Sequence, residues 1–351
     1  MVGSHGSGRH GLAVALASVL LAGPAGALEL GDTLTLHGYG NLTAVRSGVR
    51  DGGQGGGEQN SHHDVSVLGT WRLHERSQFW LQVARNTELA RARVDWAMLD
   101  WQWGDTTWQF GQVRLPFGWL NDVRDIEALR PTASRPFLYD EDLGLADEAL
   151  QGGGVEHAIV LGGTTARVRA FAARALVPDA DAPMRGAVLG ARVAVDPPLD
   201  GVSLALSGYH GRVRPEDGDS RVAKSAWALS ARWQPGFGTL EAEWGGGRID
   251  ERRVEAAYVQ FVRPLREGLD LALRAERVLT DRARRGQHDS DQRRLVVGLA
   301  WALTPSIGLR LEWQRHHGHA LPRLAADESG AADDDLRRRW SSTVLSVNAM
   351  F

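Results

Sequence analysis

The stretch Asp64-Val65-Ser66-Val67-Leu68-Gly69-Thr70-Trp71-Arg72-Leu73-His74-Glu75-Arg76-Ser77-Gln78-Phe79-Trp80-Leu81-Gln82-Val83-Ala84 decides the fold. Val65, Val67, Gly69, Trp71 and Leu73 alternate with Asp64, Ser66, Thr70 and Arg72. Successive side chains of a strand point to opposite faces, so this period of two means a strand with one apolar and one polar face. His74–Arg76 supplies a short turn, and Phe79, Leu81 and Val83 resume the alternation against Gln78 and Gln82. The unit is a hairpin whose two sides meet unlike solvents.

The pattern extends in both directions. Leu34, Leu36, Gly38, Leu42 and Ala44 alternate with polar partners upstream. Downstream it recurs near 92–102, 106–113, 154–161, 165–175, 186–196, 202–212, 222–233, 237–244, 252–263, 268–279, 292–303, 306–316 and 340–351. This gives about 16 segments, each near the ~9–11 residues with which a tilted strand crosses a bilayer. Segment 252–263 does not declare its face, because Tyr258 and Gln260 share one with Val254. Segment 92–102 puts Trp96 and Trp101 on opposite faces, which calls for a bulge.

The connections alternate in length. Short turns at His74–Arg76, Gly104-Asp105, Gly162-Gly163, Pro235-Gly236 and Thr304-Pro305 interleave with longer loops at 46–62, 114–151, 176–185, 213–221, 245–251, 280–291 and 317–339. Only 87–91 is short for its place. Two unlike ends are the mark of an outer-membrane barrel, with short periplasmic turns and long outer loops. A soluble sandwich also alternates, but it gives no reason for the connection lengths to do so. The expectation is an all-β, transmembrane, antiparallel up-and-down barrel of about 16 strands. In lipid every backbone donor and acceptor must be paired, so such a sheet has to close. Tryptophans near strand ends, among them Trp71, Trp101, Trp103, Trp233, Trp244 and Trp340, suit interfacial girdles.

Composition agrees. The 351 residues carry no cysteine, 13 tryptophans and a net charge of -3. Those values exclude a disulfide framework and a basic nucleic-acid footprint. Residues 1–27 read as an export signal: Arg9, then an apolar run from Leu12 to Ala22, then Ala25-Gly26-Ala27 at a cleavage site. Residues 28–351 would be the barrel.

The 114–151 segment is the longest part that does not read as strand. It holds Trp119, Phe137 and Tyr139, so it has apolar groups of its own to pack. We expect it to fold into the lumen as a constriction, with Asp122, Arg124, Asp125, Glu127 and Arg130 contributing charge from the loop. Arg93, Arg167, Arg169, Arg274 and Arg310 would face it from the polar side of the wall. Fixed charges at a constriction select permeants by charge and size.

At this point the chain resembles the general porins of Gram-negative bacteria. The third long connection lies in the place of that family's inward-folded outer loop. Its opening, Gly111-Gln112-Val113-Arg114-Leu115-Pro116-Phe117-Gly118 with Arg124-Asp125 and Arg130-Pro131, looks like a motif of porin-like proteins. The terminal alternation ending on Phe351 resembles the assembly signal of outer-membrane barrels. The resemblance implies a passive diffusion channel for small hydrophilic solutes in the cell outer membrane. It also implies a homotrimer in contact with lipopolysaccharide, served during biogenesis by the barrel-assembly machinery, with no cofactor. The alternative is a non-conducting barrel acting as an adhesin or surface receptor.

Two other features bear on chemistry. His62-His63-Asp64 and His316-His317-Gly318-His319 could ligate a metal, but read as solvated loop-rim residues. An outer-membrane lipase or protease needs a nucleophile beside a base. Ser341 and Ser342 have no local partner signature, and no enzyme activity is expected.

Overall fold

The computed structural model describes residues 26–47, 59–86, 92–124, 126–140, 143–178, 183–215, 220–287, 290–318 and 339–351. Residues 1–25, which hold most of the export signal, and Asp125 lie outside the described residues.

A three-residue strand β1 (Leu28–Leu30) is followed by sixteen long ones. These are β2 (Leu34–Ser47), β3 (Gln59–His74), β4 (Ser77–Asn86), β5 (Arg93–Trp103), β6 (Thr106–Arg114), β7 (Ala149–Leu161), β8 (Thr164–Val177) and β9 (Met184–Asp196). Then come β10 (Val202–Arg214), β11 (Val222–Trp233), β12 (Thr239–Ile249), β13 (Arg252–Arg266), β14 (Leu269–Leu279), β15 (Asp291–Ala302), β16 (Ile307–His317) and β17 (Arg339–Met350). Each pairs antiparallel with its sequence neighbour, and β17 pairs with β2, from Ser342↔Ser47 to Met350↔Tyr39. The ring is closed, with no free edge. Phe351 completes the seam, exchanging backbone bonds with Gly38 at 3.1 and 2.9 Å. β1, absent from the sequence reading, pairs with the start of β2 (Leu28↔Leu36) and continues the seam beyond the end of β17.

The apolar faces look outward. Val65, Val67, Trp71 and Leu73 are exposed, whereas Ser66 and Thr70 are buried inside. Trp71, Trp101, Trp103 and Trp233 are exposed near the end with short turns. Trp340 departs from the girdle expectation: it points inward, stacked 3.5 Å from the His316 ring. The ambiguous strand β13 turns Val254, Tyr258 and Gln260 to the inside. On β5 the pairing jumps from Gln82↔Trp96 to Val83↔Val94, leaving Asp95 as the bulged residue. The bulge resets the period, so Val94 faces out while Asp95 and Trp96 are both buried.

One loop expectation fails. Gly245-Gly246-Gly247 belongs to β12, which runs on to Ile249 and turns at Asp250. A Cβ on Gly245 would lie 2.7 Å from a methyl of Leu138, and one on Gly247 2.9 Å from a methyl of Leu145. These glycines let the inner loop reach the strand backbone. Their lack of side chains reflects close approach, not a turn.

The core lies inside the barrel, between the 115–148 segment and the wall. Leu115, Phe117, Leu138, Tyr139, Leu143 and Leu145 of the loop pack on Tyr209, Val213, Ala226, Ala228, Val254 and Val278 of β10–β14. Under the loop the inner face combines this apolar cluster with buried polar groups such as Glu243, Arg274 and Glu276.

Candidate channel constriction

The loop's route follows from its bonds to the wall. Gly118 N donates to Ser207 Oγ on β10 (3.0 Å) and Trp119 N to Glu243 Oε1 on β12 (2.8 Å). The chain then returns to Asp122, which pairs with Arg192 of β9 (2.7 Å) and lies 3.7 Å from Arg169 of β8. Glu127 accepts from Asn41 of β2 and Ser346 of β17. Strands β8–β9 and the β17–β2 seam are on opposite sides of the ring. The loop is thus tied to opposite sides of the wall at Asp122 and at Glu127, and bridges the lumen.

From the seam the loop runs back along the wall. Arg310 donates to Arg130 O (3.1 Å) and Ala128 O (2.8 Å). Arg274 donates to Thr132 Oγ1 (2.6 Å), Ser134 O (3.1 Å) and Ser134 Oγ (2.8 Å). Arg294 donates to Arg135 O (2.6 Å). Wall carboxylates take the loop's donors: Glu312 from Ser134 Oγ (2.7 Å), Glu276 from Phe137 N (2.6 Å) and Glu243 from Tyr139 Oη (2.5 Å). Lys224 pairs with Asp147 at 2.7 Å, and Arg93 with Glu148 at 2.6 Å.

The Arg-Pro pairs explain why the chain lies flat. A residue before proline is held extended, and Arg130 has φ -91° and ψ 143°. The carbonyls of Arg130 and Arg135 face outward and are those the wall arginines take. Proline adds no donor that the wall would have to satisfy.

The ten residues named from sequence fall into distinct places. Arg124, fully buried, ties the two ends of the loop together through Asn121 Oδ1 (3.2 Å) and Ala146 O (2.6 Å). Arg274 and Arg310 hold loop backbone, as above. Glu127 and Arg130 pair at 3.4 Å beside the seam. Burial pulls the Arg130 guanidinium down to about 10, with Glu127 opposing, so it stays charged at neutral pH. Arg93 spans Asp95 (2.9 Å) and Glu148. Asp122, Arg169 and Arg167 keep water-accessible side chains, at 37%, 21% and 50% of full exposure. Asp122, Arg169 and Arg192 form one group with Glu156, which is 2.5 Å from Arg169. Arg192 and Arg232 sit on the Trp119 ring at 5.0 and 5.1 Å. A cavity of about 340 Å³ opens between the loop and β11–β16, lined by Trp119, Arg130, Arg232, Glu241, Asp270 and Arg310.

The hub that sequence reasoning missed is Glu243. Besides Trp119 N and Tyr139, it accepts from Tyr258 (2.6 Å) and Ser230. Burial, then the Glu243 charge, pushes the Tyr139 phenol well up, so its hydroxyl remains a donor. Its place in the alternation of β12 puts Glu243 on the polar face, but nothing local links it to tyrosines 104 and 15 residues away.

His316 departs from the solvated reading and is buried with Ser342, whereas His62 is exposed. His316 Nε2 lies 3.1 Å from Ser342 Oγ, but both are buried and Trp340 covers the ring. Among the described residues no three His, Asp or Glu side chains converge on a metal position, and His319 lies outside them.

The Glu127 anchor gives a direct prediction. Glu127→Ala leaves Asn41 and Arg130 buried without their carboxylate partner. An unpaired buried polar group costs about 1–3 kcal/mol. The expected result is a fall of that size in unfolding free energy, read by urea titration in detergent; an unchanged midpoint would remove the anchor role.

No family model matches the sequence, and no curated protein matches it. Solved structures do match. The anion-selective porin from Comamonas acidovorans superposes with a TM-score of 0.64 at 12% identity, covering 91% of this chain and 99% of its own. Pseudomonas putida OprB gives 0.62 at 11% identity, covering 98% and 97%. Salmonella typhi OmpF gives 0.61 at 12% identity, covering 93% and 100%. At such identities the likeness is one of fold: the chain has the closed antiparallel barrel found in outer-membrane porins.

Proposed function

We propose that this protein is a passive channel for small hydrophilic solutes in the outer membrane of a Gram-negative bacterium. The carrying observation is the bridge. A closed barrel is crossed by a loop tied to its wall, and Asp122, Arg169, Arg192 and Glu156 remain beside the crossing with partial access to water. Fixed charges of both signs at a narrow passage bias ions by sign. The passage runs along the polar wall that the return leg leaves uncovered, and Arg124, Arg130, Arg274 and Arg310 act by holding the loop's shape and potential. Selectivity follows from this arrangement. Asp122→Asn removes the anion facing Arg169 and Arg192, so the reversal potential under a salt gradient should move toward anion preference. Arg169→Gln should move it the other way. Identical reversal potentials in both variants and the parent would defeat the charged-passage reading.

A second reading has an observation of its own. The bridge and the apolar core fill part of the lumen, which favours a barrel that carries no steady current and works through its outer loops. Planar bilayers decide: stable open steps support the channel, and electrically silent insertion supports the surface-receptor reading. The resemblance to general porins supports a homotrimer, contact with lipopolysaccharide and passage through the barrel-assembly machinery. Cross-linking of detergent extracts tests the trimer. Cleavage of the export signal before Leu28, tested by the mass of the mature chain, would leave β1 in its seam.

A further inference from the structure

The outer ends of β14–β17 carry an arrangement that the channel does not use. On the outward face the strand register aligns Arg277 with Arg293, Arg293 with His317, and His317 with Arg339. Like charges directly opposite on neighbouring strands are destabilising. Asp291 answers part of this row, 2.5 Å from Arg277 and 3.8 Å from Arg293. Among the described residues Arg315 and Arg339 have no acidic partner. The next row toward the membrane is Ala275, Leu295 and Arg315, and the one below is Leu273, Val297, Trp313 and Thr343. A groove of about 450 Å³ runs between these strands, with Ala275 and Leu295 in its floor and Arg293, Arg315, His317 and Arg339 around its upper edge.

The surface thus passes from hydrocarbon-facing to strongly cationic within two rows. A soluble anion would meet the cations but leave the apolar floor wet. A bare acyl chain would cover the floor but give no counter-charge to Arg315 and Arg339, which have no acidic partner among the described residues. A lipid with phosphate on its head group satisfies both. We propose that this groove binds a phosphorylated lipid of the outer leaflet, its chain over Ala275 and Leu295 and its phosphate among Arg293, Arg315 and Arg339. The proposal rests on the reading that the barrel spans the outer membrane with its long loops outside.

The test is native mass spectrometry of the full detergent-solubilised barrel titrated with bis-phosphorylated lipid A, and with the same lipid dephosphorylated. Tight binding of the first and about ten-fold weaker binding of the second is expected. The triple variant Arg293→Gln, Arg315→Gln, Arg339→Gln should lose a similar factor. Arg185→Gln with Arg212→Gln, exposed cations of β9 and β10 on the far side of the ring, should change it less than two-fold. Equal binding of both lipids, full binding by the triple variant, or equal loss in the far-side control each overturns the groove; displacement by millimolar inorganic phosphate alone would reassign it to a free anion. The heat-dependent gel shift of a folded barrel confirms that each variant is intact. Single-channel conductance is recorded on the same preparations: silent bilayers with intact lipid selectivity would end the channel reading and leave the groove standing.

Discussion

Excising the inner loop should raise single-channel conductance at least about two-fold and remove most ion selectivity, since cross-section and fixed charge set both. The barrel permits the cut. Strands β6 and β7 pair up to Arg114↔Ala149, and Leu115 N reaches Glu148 O at 3.2 Å. Residues 116–147 can be replaced by an Asn-Gly turn, which suits a two-residue hairpin connection. What is lost is the lumen crossing between Arg192 and the β17–β2 seam, with the group around Asp122. The excision exposes Val213, Val254 and Val278 of the inner wall to water, so some stability is lost as well. Conductance equal to that of the parent, in a variant that still shows the folded gel shift, would mean that the loop does not limit flow.

Arg274→Ala should destabilise the barrel by about 3–5 kcal/mol, the cost of breaking a buried ion pair by removing one partner. Arg274 and Glu276 are both fully buried and 3.0 Å apart. Glu276 keeps Arg294 at 2.6 Å, which softens its loss, but Thr132, Ser134 and Gln260 all lose a donor. Arg274→Lys keeps the charge without the planar fork and should recover only part of the difference. Arg232→Ala is the comparison: Arg232 also pairs with a glutamate, at 2.6 Å, but is 34% exposed, and exposed pairs contribute about 0–1 kcal/mol. Tryptophan-monitored urea unfolding measures all three. Equal losses for Arg274→Ala and Arg232→Ala would show that the buried network does not hold the loop.

The sequence by itself determined the barrel. Alternation at Val65–Leu73 and Phe79–Val83, repeated along the chain, requires two solvents on two faces, and lipid forbids an open edge. Each of the sixteen long strands overlaps a segment that the period marks, although β7 begins at Ala149 and β12 runs on to Ile249, inside stretches that read as loop. Local rules also marked a bulge within 92–102 but not its place: the extra residue is Asp95, ahead of Trp96, and Trp96 and Trp101 keep opposite faces. They stopped where meaning depended on a partner distant in sequence. Gly245-Gly246-Gly247 reads as a loop until Leu138 and Leu145 press on it. Trp340 reads as a girdle residue until His316 stacks on it from the inside. Arg274 and Arg310 read as pore lining, whereas the tertiary structure turns them onto loop carbonyls 140 and 180 residues away. Period reports which solvent a face meets, and that is fixed within a few residues. Which inward charge meets water and which meets the loop is decided only when chain ends of a ring and a loop from its middle are brought together.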